Sequence, residues 1–164
     1  METMETLLSL LEKNARLSTA ELGAMLEKSP KEIEQMMELA KEKGYLRGYR
    51  ALVDWARVNG GADHVQAMIE LKVSPKKNRG FDEIASTIAA FDEVQNLLLM
   101  SGGFDLMLII TGKSFQEVAQ FVAMRLAPLD DVLSTATHFV LRTYKKDGAV
   151  YEDEEPDERE CTVL

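Results

Sequence analysis

Apolar residues near the start of the chain recur at the three- and four-residue spacing of amphipathic helices. Three such stripes follow one another, separated by short polar segments. Each stripe can bury one face of a helix while the opposite face stays in solvent. The pattern predicts three short helices, whose buried faces carry Leu7, Leu10 and Leu11, then Leu22, Met25 and Leu26, then Ile33, Met36, Met37 and Ala40.

The second and third helices carry explicit start signals. Ser18 is followed three residues later by Glu21, and Ser29 by Glu32. Each pair matches the capping box, in which two side chains satisfy backbone N–H groups at a helix start. Three short helices with a tight turn before the third are typical of a helix-turn-helix. The next stretch, "YLRGYRALVDW", predicts a small strand-like wing.

The pattern changes after "ARVNGGAD". "HVQAMIELKV" alternates as a strand does, and "FDEIASTIAAF" and "SFQEVAQFVAMRL" have helical spacing. "VQNLLLM" and "DLMLII" predict a hairpin through "SGG", and "VLSTATHFVLRTYKK" predicts a long strand. We therefore predict an α+β fold: an N-terminal winged helix-turn-helix followed by a ferredoxin-like β-α-β-β-α-β sandwich domain.

The domain boundaries follow from composition. We predict a winged helix-turn-helix at residues 1–55, a hinge at 56–63, a ligand-sensing and dimerisation domain at 64–147 and an acidic disordered tail at 148–164. The net charge is −9, and residues 148–164 hold seven acidic residues and one arginine. Much of the negative charge therefore lies in the tail.

The predicted sheet is apolar on both faces. Right-handed crossovers place both helices of the sandwich on one face. The other face needs a partner, and a second copy of the chain is the expected one. The sequence therefore predicts a homodimer.

Several function classes have no support in the sequence. No apolar run reaches the length of a membrane span, and the N-terminus lacks the features of a signal peptide. The single cysteine excludes an internal disulfide and a cysteine metal cage. We expect a cytoplasmic protein without a cofactor or a metal.

Taken together, the segments "LSTAELGAML", "KSPKEIEQMMELAKEKGYLRGYRALVD", "GGFDLMLIITG" and "VLSTATHFVL" resemble the Lrp/AsnC family of leucine- and asparagine-responsive transcriptional regulators. The resemblance spans positions 4 to about 146. It implies a DNA-binding regulator, not an enzyme, that senses a small molecule through its C-terminal domain. It also implies a dimer that assembles further, for example to an octamer.

The resemblance assigns a ligand site to the hairpin. An amino acid is the expected effector, and Asp105 could face its ammonium group or accept hydrogen bonds from N–H groups of the loop itself. A plain hairpin, in which the glycines serve the turn and Asp105 caps it, remains the alternative. The implied ligand-binding residues are Ser101, Gly102, Gly103, Phe104 and Asp105 on one wall, with Thr135 and Thr137 on another.

The third helix carries more glutamates than a DNA-reading helix needs. Four carboxylates would face a phosphate field that repels them: Glu32, Glu34, Glu38 and Glu42. A sensor that has lost DNA binding is therefore one alternative to the regulator. The candidate DNA contacts are Lys31, Gln35, Lys41, Arg47 and Arg50.

An enzyme is the second alternative. Sirohaem decarboxylases resemble this family and act on tetrapyrrole carboxylates, which would require histidines and arginines around a large pocket. The chain offers His64, His138, Arg79, Arg125 and Arg142 for such a site. No catalytic motif of another enzyme class is present.

Overall fold

A computed structural model describes residues 2–58, 60, 63–74 and 80–151. The chain forms two compact units, Met1–Leu52 and Val53–Leu164. The acidic segment 152–164, the basic loop at 75–79 and three residues of the predicted hinge lie outside the described residues.

The first unit contains the three predicted helices, α1 (Glu2–Lys13), α2 (Thr19–Leu26) and α3 (Pro30–Glu42). Both predicted capping boxes are present, with Ser18 and Ser29 each bonded to the third residue of the helix that follows. The apolar stripes meet in one small core, as the periodicity predicts, but Met25 is 57% exposed and its predicted burial is wrong. The buried side chains of this core are Leu7, Leu11, Leu22 and Ile33.

The turn between α2 and α3 is tight. A Cβ on Gly23 would lie 2.6 Å from the carbonyl oxygen of Lys28, so only glycine fits at this point of α2. Glu27 ends α2 in the left-handed region at φ 53°. After α3, residues 46–54 form no strand, so the expected strand-like wing is an irregular segment.

The second unit contains β1 (Val65–Val73), α4 (Asp82–Ala89), β2 (Val94–Leu99), β3 (Leu106–Gly112), α5 (Phe115–Phe121) and β4 (Val132–Phe139). A π-helical turn, Val122–Leu126, extends α5. The sheet order is β2-β3-β1-β4, and all neighbours are antiparallel. This is the predicted β-α-β-β-α-β topology, in which the two helices connect strands of one sheet.

Both helices cover the same face of the sheet, as expected. The buried cluster joins Ile69 and Leu71 of β1 and Leu108 of β3 to Ile88 of α4 and Val118 of α5. Alternation along the strands directs these residues to the helical side.

The opposite face, which we call the open face, carries no helix among the described residues. Alternation places on it Met68 of β1, Leu98 of β2, and Met107 and Ile109 of β3. Met68 and Leu98 are exposed. The open face therefore carries an apolar cluster on β1, β2 and β3, with Glu70 and His138 beside it.

The last predicted strand is shorter than expected. β4 ends at Phe139, and a separate hairpin follows, formed by β5 (Lys145–Lys146) and β6 (Ala149–Val150). Asp147 and Gly148 form its turn with positive φ angles of 48° and 82°. Position 147, where we predicted the domain to end, therefore lies inside this hairpin.

Candidate functional site

The loop between β2 and β3, residues 101–105, contains most of the predicted ligand-binding residues. The N–H of Met100 donates to the carbonyl of Asp105 at 2.8 Å and closes the loop. Gly102 has φ 147°, a conformation that favours glycine. A Cβ on Gly102 or Gly103 would meet nothing within 4 Å. The loop backbone is therefore open to an approaching ligand.

Asp105 links this loop to β1. Its N–H donates to the carbonyl of Leu71 at 2.9 Å, and its Oδ2 accepts from the N–H of Val73 at 2.9 Å. The register of β1 against β4 shifts between Lys72 and Val73. In a regular sheet a backbone hydrogen bond between the strands would be expected at this point. The carboxylate thus serves a backbone N–H of β1. Its Oδ1 accepts no hydrogen bond from the described part of the chain.

The two threonines are not adjacent to the loop within one chain. Thr135 pairs with Leu71, and Thr137 pairs with Ile69, so β1 lies between them and β3. Two strand spacings separate Thr135 from Leu106, about 10 Å. Both threonines are half-buried on the face of the sheet that the helices cover.

The predicted DNA contacts lie on the surface of the first unit. Lys31, Gln35 and Lys41 are exposed on α3. Nζ of Lys41 lies 3.4 Å from Oε2 of Glu38, which offsets part of its charge. Glu32 folds back onto the N–H of Ser29 at 2.8 Å. Hydrogen bonds from the side chain and backbone of Ser29 lower the pKa of Glu32, which is therefore committed to capping.

Arg47 and Arg50 lie on the irregular segment after α3 and are exposed. Gly44 ends the α3 region in the left-handed conformation, and a Cβ there would lie 3.0 Å from Nη2 of Arg47. Both arginines line a groove against α1 together with Tyr45 and Tyr49. The first unit thus presents cations at both ends of α3, with glutamates between them.

The histidines proposed for catalysis serve separate contacts. The ring of His64 stacks on Trp55 with centroids 5.2 Å apart. Nε2 of His138 lies 3.3 Å from Oε1 of Glu70 on the open face. Arg125 donates to Glu93 at 2.9 Å and covers the ring of Phe91.

Arg142 stacks on Tyr144, with its guanidinium carbon 5.0 Å from the ring centroid, and Arg79 lies outside the described residues. Among the residues described, no three His, Cys, Asp or Glu side chains form a group that could hold a metal. No described helix is both long and apolar enough to cross a membrane.

Sequence reasoning missed two features of the second unit. The Val73 partner of Asp105 is a backbone group 32 residues away, and no sequence signal identifies such a partner. The Trp55–His64 stack opens onto a cleft whose lining includes Ala56, Arg57 and Gly60 of the predicted hinge. In the sequence, aromatic and basic residues cluster near both ends of the second domain, and this clustering could have indicated the cleft.

Comparison with known proteins agrees with this architecture. The family model described as the Lrp/AsnC ligand binding domain matches residues 66–150, which include the 101–105 loop. The HTH-type transcriptional regulator YugG of Bacillus subtilis is 39% identical over 153 residues, covering 93% of this chain and 92% of that protein. The leucine-responsive regulatory protein of Haemophilus influenzae is 25% identical over 85% of this chain and 82% of its own length.

Solved structures show the same fold. A Neisseria meningitidis transcriptional regulator in complex with L-Met superposes with a TM-score of 0.69 at 25% identity, covering 89% of this chain and 92% of that one. Escherichia coli AsnC gives a TM-score of 0.65 at 23% identity, covering 89% and 95%. The predicted fold and the predicted class of DNA-binding regulator are confirmed by these matches. The chain belongs to the Lrp/AsnC family of HTH-type transcriptional regulators.

Proposed function

We propose that this regulator senses an amino acid at the 101–105 loop. The observation that carries the proposal is the juxtaposition of two open glycines with the half-buried carboxylate of Asp105. Backbone N–H groups of a glycine loop can hold a carboxylate, because no side chain blocks its approach. The Asp105 carboxylate can hold an ammonium group. Together they match the two charged groups of an amino acid.

The hydrogen bond from Val73 makes Asp105 better suited to this role. Because Oδ2 is tied to a backbone N–H, the carboxylate is held in one orientation before a ligand arrives. A group that is already ordered loses less entropy when it binds. Oδ1 is then the oxygen that would meet the ammonium group. The L-Met complex of the Neisseria meningitidis regulator supports an amino acid as the ligand class.

Assembly follows from the open face. Two copies pairing through Met68, Leu98, Met107 and Ile109 would bury apolar side chains that one chain leaves uncovered. The loop lies at the end of this sheet, where further copies could meet to form a higher oligomer such as an octamer. Thr135 and Thr137 would contribute to a ligand site only from a neighbouring subunit.

Each dimer would present two helix-turn-helix units to DNA in the cytoplasm. Lys31, Gln35 and Lys41 would approach the groove and phosphates, while Arg47 and Arg50 would contact phosphates beside it. An amino acid that prefers one assembly state over another would change the population of DNA-competent states. The resulting function is regulation and not catalysis.

Calorimetric titration with each of the twenty L-amino acids tests the site. We expect one or a few amino acids to bind the wild-type protein, and Asp105→Asn to weaken that binding at least tenfold. Asp92→Asn is the matched control, because Asp92 is an exposed carboxylate at the other end of the hairpin strands. Equal affinity in wild type and Asp105→Asn would refute the site.

A DNA-silent sensor is the second candidate, and the exposed glutamates Glu34, Glu38 and Glu42 of α3 favour it. A protein of this kind would bind the amino acid as described but would not bind its promoter at low salt. Titration with promoter DNA at low and moderate salt distinguishes the two functions.

A further inference from the structure

The second unit contains a cleft of about 400 Å³ that is separate from the 101–105 loop. It is lined by the segment from Val53 to Arg57, by the start of β1 at Gln66 and by residues after β4. Val73, the partner of Asp105, lies seven residues farther along β1 than Gln66, a distance of roughly 23 Å. A ligand in the cleft would therefore not touch the loop in the same chain.

One wall of the cleft is a flat aromatic surface. Trp55 and His64 stack with an angle of 24° between their rings. Trp55 is still 47% exposed, so part of its indole is available to another ring. Tyr151 also lines the cleft and is half-buried. Offset stacking on such a surface favours a planar ligand.

The charges around the cleft are predominantly positive. Among the described residues that line it are Arg57, Arg142 and Lys146, against one carboxylate, Asp54. Nε of Arg57 lies 3.3 Å from Oδ2 of Asp54, so this pair largely compensates itself. Arg142 and Lys146 then supply positive charge that no carboxylate balances within the described lining of the cleft.

The geometry of Arg142 leaves its hydrogen-bond donors usable. Its guanidinium carbon lies 5.0 Å from the ring centroid of Tyr144, a stacking contact that uses the face of the group and not its N–H edge. Burial and the nearby charge of Lys146 lower the pKa of His64. His64 is therefore a neutral stacking surface at neutral pH, and the field of Lys146 extends to it.

We propose that this cleft binds a small planar anion, an aromatic ring that carries a carboxylate or a phosphate. The ring stacks beside Trp55, and the anionic group lies between Arg142 and Lys146. This second site is independent of the amino-acid site proposed for the loop. Through this site the regulator responds to a second ligand, whose chemistry differs from that of the amino acid.

Trp55 is the single tryptophan of the sequence and reports directly on the cleft. Its fluorescence, excited at a wavelength that the probes do not absorb, is followed during titration with AMP, adenosine, benzoate and benzyl alcohol. We expect AMP or benzoate to quench Trp55 saturably, and the uncharged counterpart of each to bind at least about fivefold more weakly. A response to AMP alone identifies phosphate as the anionic group, and a response to benzoate alone identifies carboxylate.

Substitutions locate the anion. Arg142→Gln and Lys146→Gln should each reduce affinity for the active probe at least about tenfold, as loss of one charge-assisted hydrogen bond predicts. Lys145→Gln is the matched control, because Lys145 is the adjacent lysine and does not line the cleft. Thermal unfolding of each variant confirms that the second unit remains folded.

Equal affinity for charged and uncharged probes would overturn the proposal, as would unchanged affinity in both Arg142→Gln and Lys146→Gln. Absence of saturable quenching by all four probes would also overturn it. Asp105→Asn should leave the quenching unchanged. The two proposed sites therefore succeed or fail separately.

Discussion

The carboxylate of Asp105 accepts a hydrogen bond from the backbone N–H of Val73, with Oδ2 and N 2.9 Å apart. The bond joins the first residue before β3 to the last residue of β1, at the point where the register of β1 shifts. A side chain implied to bind a ligand therefore also completes the sheet. Any substitution at this position tests two roles at once.

Two substitutions separate these roles. Asp105→Ala removes the acceptor of the Val73 N–H and should lower the free energy of unfolding by about 1–2 kcal/mol. Asp105→Asn keeps a side-chain oxygen that can accept this bond, so its stability should stay closer to wild type. Urea unfolding followed by circular dichroism measures both. Equal destabilisation by the two substitutions would show that the charge, and not the hydrogen bond, supports the sheet.

Gly23 should be essential to the helix-turn-helix. Gly23→Ala places a Cβ 2.6 Å from the carbonyl oxygen of Lys28, a backbone atom that cannot move without opening the turn. We expect a loss of about 1–3 kcal/mol, the usual cost of overpacking. Gly48→Ala is the control, because a Cβ at Gly48 meets nothing within 4 Å. An equal loss of thermal stability in Gly23→Ala and Gly48→Ala would contradict the tight turn.

The glutamates of α3 should limit DNA affinity. Glu38→Gln removes a carboxylate and releases Lys41 from its 3.4 Å ion pair. We expect affinity for promoter DNA to rise, with a steeper dependence on salt, because one more cation can displace counterions from phosphate. Fluorescence anisotropy at low and moderate salt measures both quantities. Asp92→Asn in the second unit, where Asp92 is exposed, is the control, and an equal gain in that variant would point to net charge alone.

Met107 should be central to the dimer. It lies on the open face of β3, opposite Glu70 of β1 and Leu98 of β2. Met107→Glu would bury a charge in any interface formed by this face, and we expect monomers in sedimentation velocity. Gln120→Glu on the exposed side of α5 should leave the dimer intact. A Met107→Glu protein that still forms dimers would place the interface elsewhere.

His64 should make stability depend on pH. Its pKa is lowered in the folded protein, below the value of 6.5 that applies when unfolded, first by burial and then by Lys146. Between these two pKa values the unfolded chain binds more protons than the folded one, so stability rises with pH. The contribution of neutral His64 to the free energy of unfolding is complete above pH 6.5. It falls as the pH decreases toward the pKa of His64 in the folded protein. His64→Phe keeps a ring on Trp55 and should flatten the dependence of the free energy of unfolding on pH in this range. An unchanged slope in this variant would show that other titratable groups cause the dependence.

Local signals in the sequence predicted most of the fold. The capping boxes at Ser18 and Ser29 are formed by residues three positions apart, and both are present. The alternation of β1 placed Ile69 and Leu71 on one face, and both are buried there. Such features depend on near neighbours, which the sequence displays directly.

Features that depend on distant neighbours could not be predicted. Nothing near Asp105 in the sequence indicates that its acceptor oxygen serves Val73. The separation of Thr135 from the loop by β1 within one chain is likewise not visible in the sequence. The end of β4 at Phe139 was also missed, because "VLRTYKK" continues the β-branched and aromatic pattern. The strand ends where pairing ends, and residue types alone do not define that point.

We propose that an amino acid bound at the 101–105 loop changes the affinity of the protein for DNA. The most direct test is fluorescence anisotropy of labelled DNA from upstream of the protein's own gene, with and without each L-amino acid. We predict a specific complex whose affinity changes with one or a few amino acids in the wild-type protein, and no such change in Asp105→Asn. Specific DNA binding that no amino acid alters, or that responds equally in Asp105→Asn, would contradict the account.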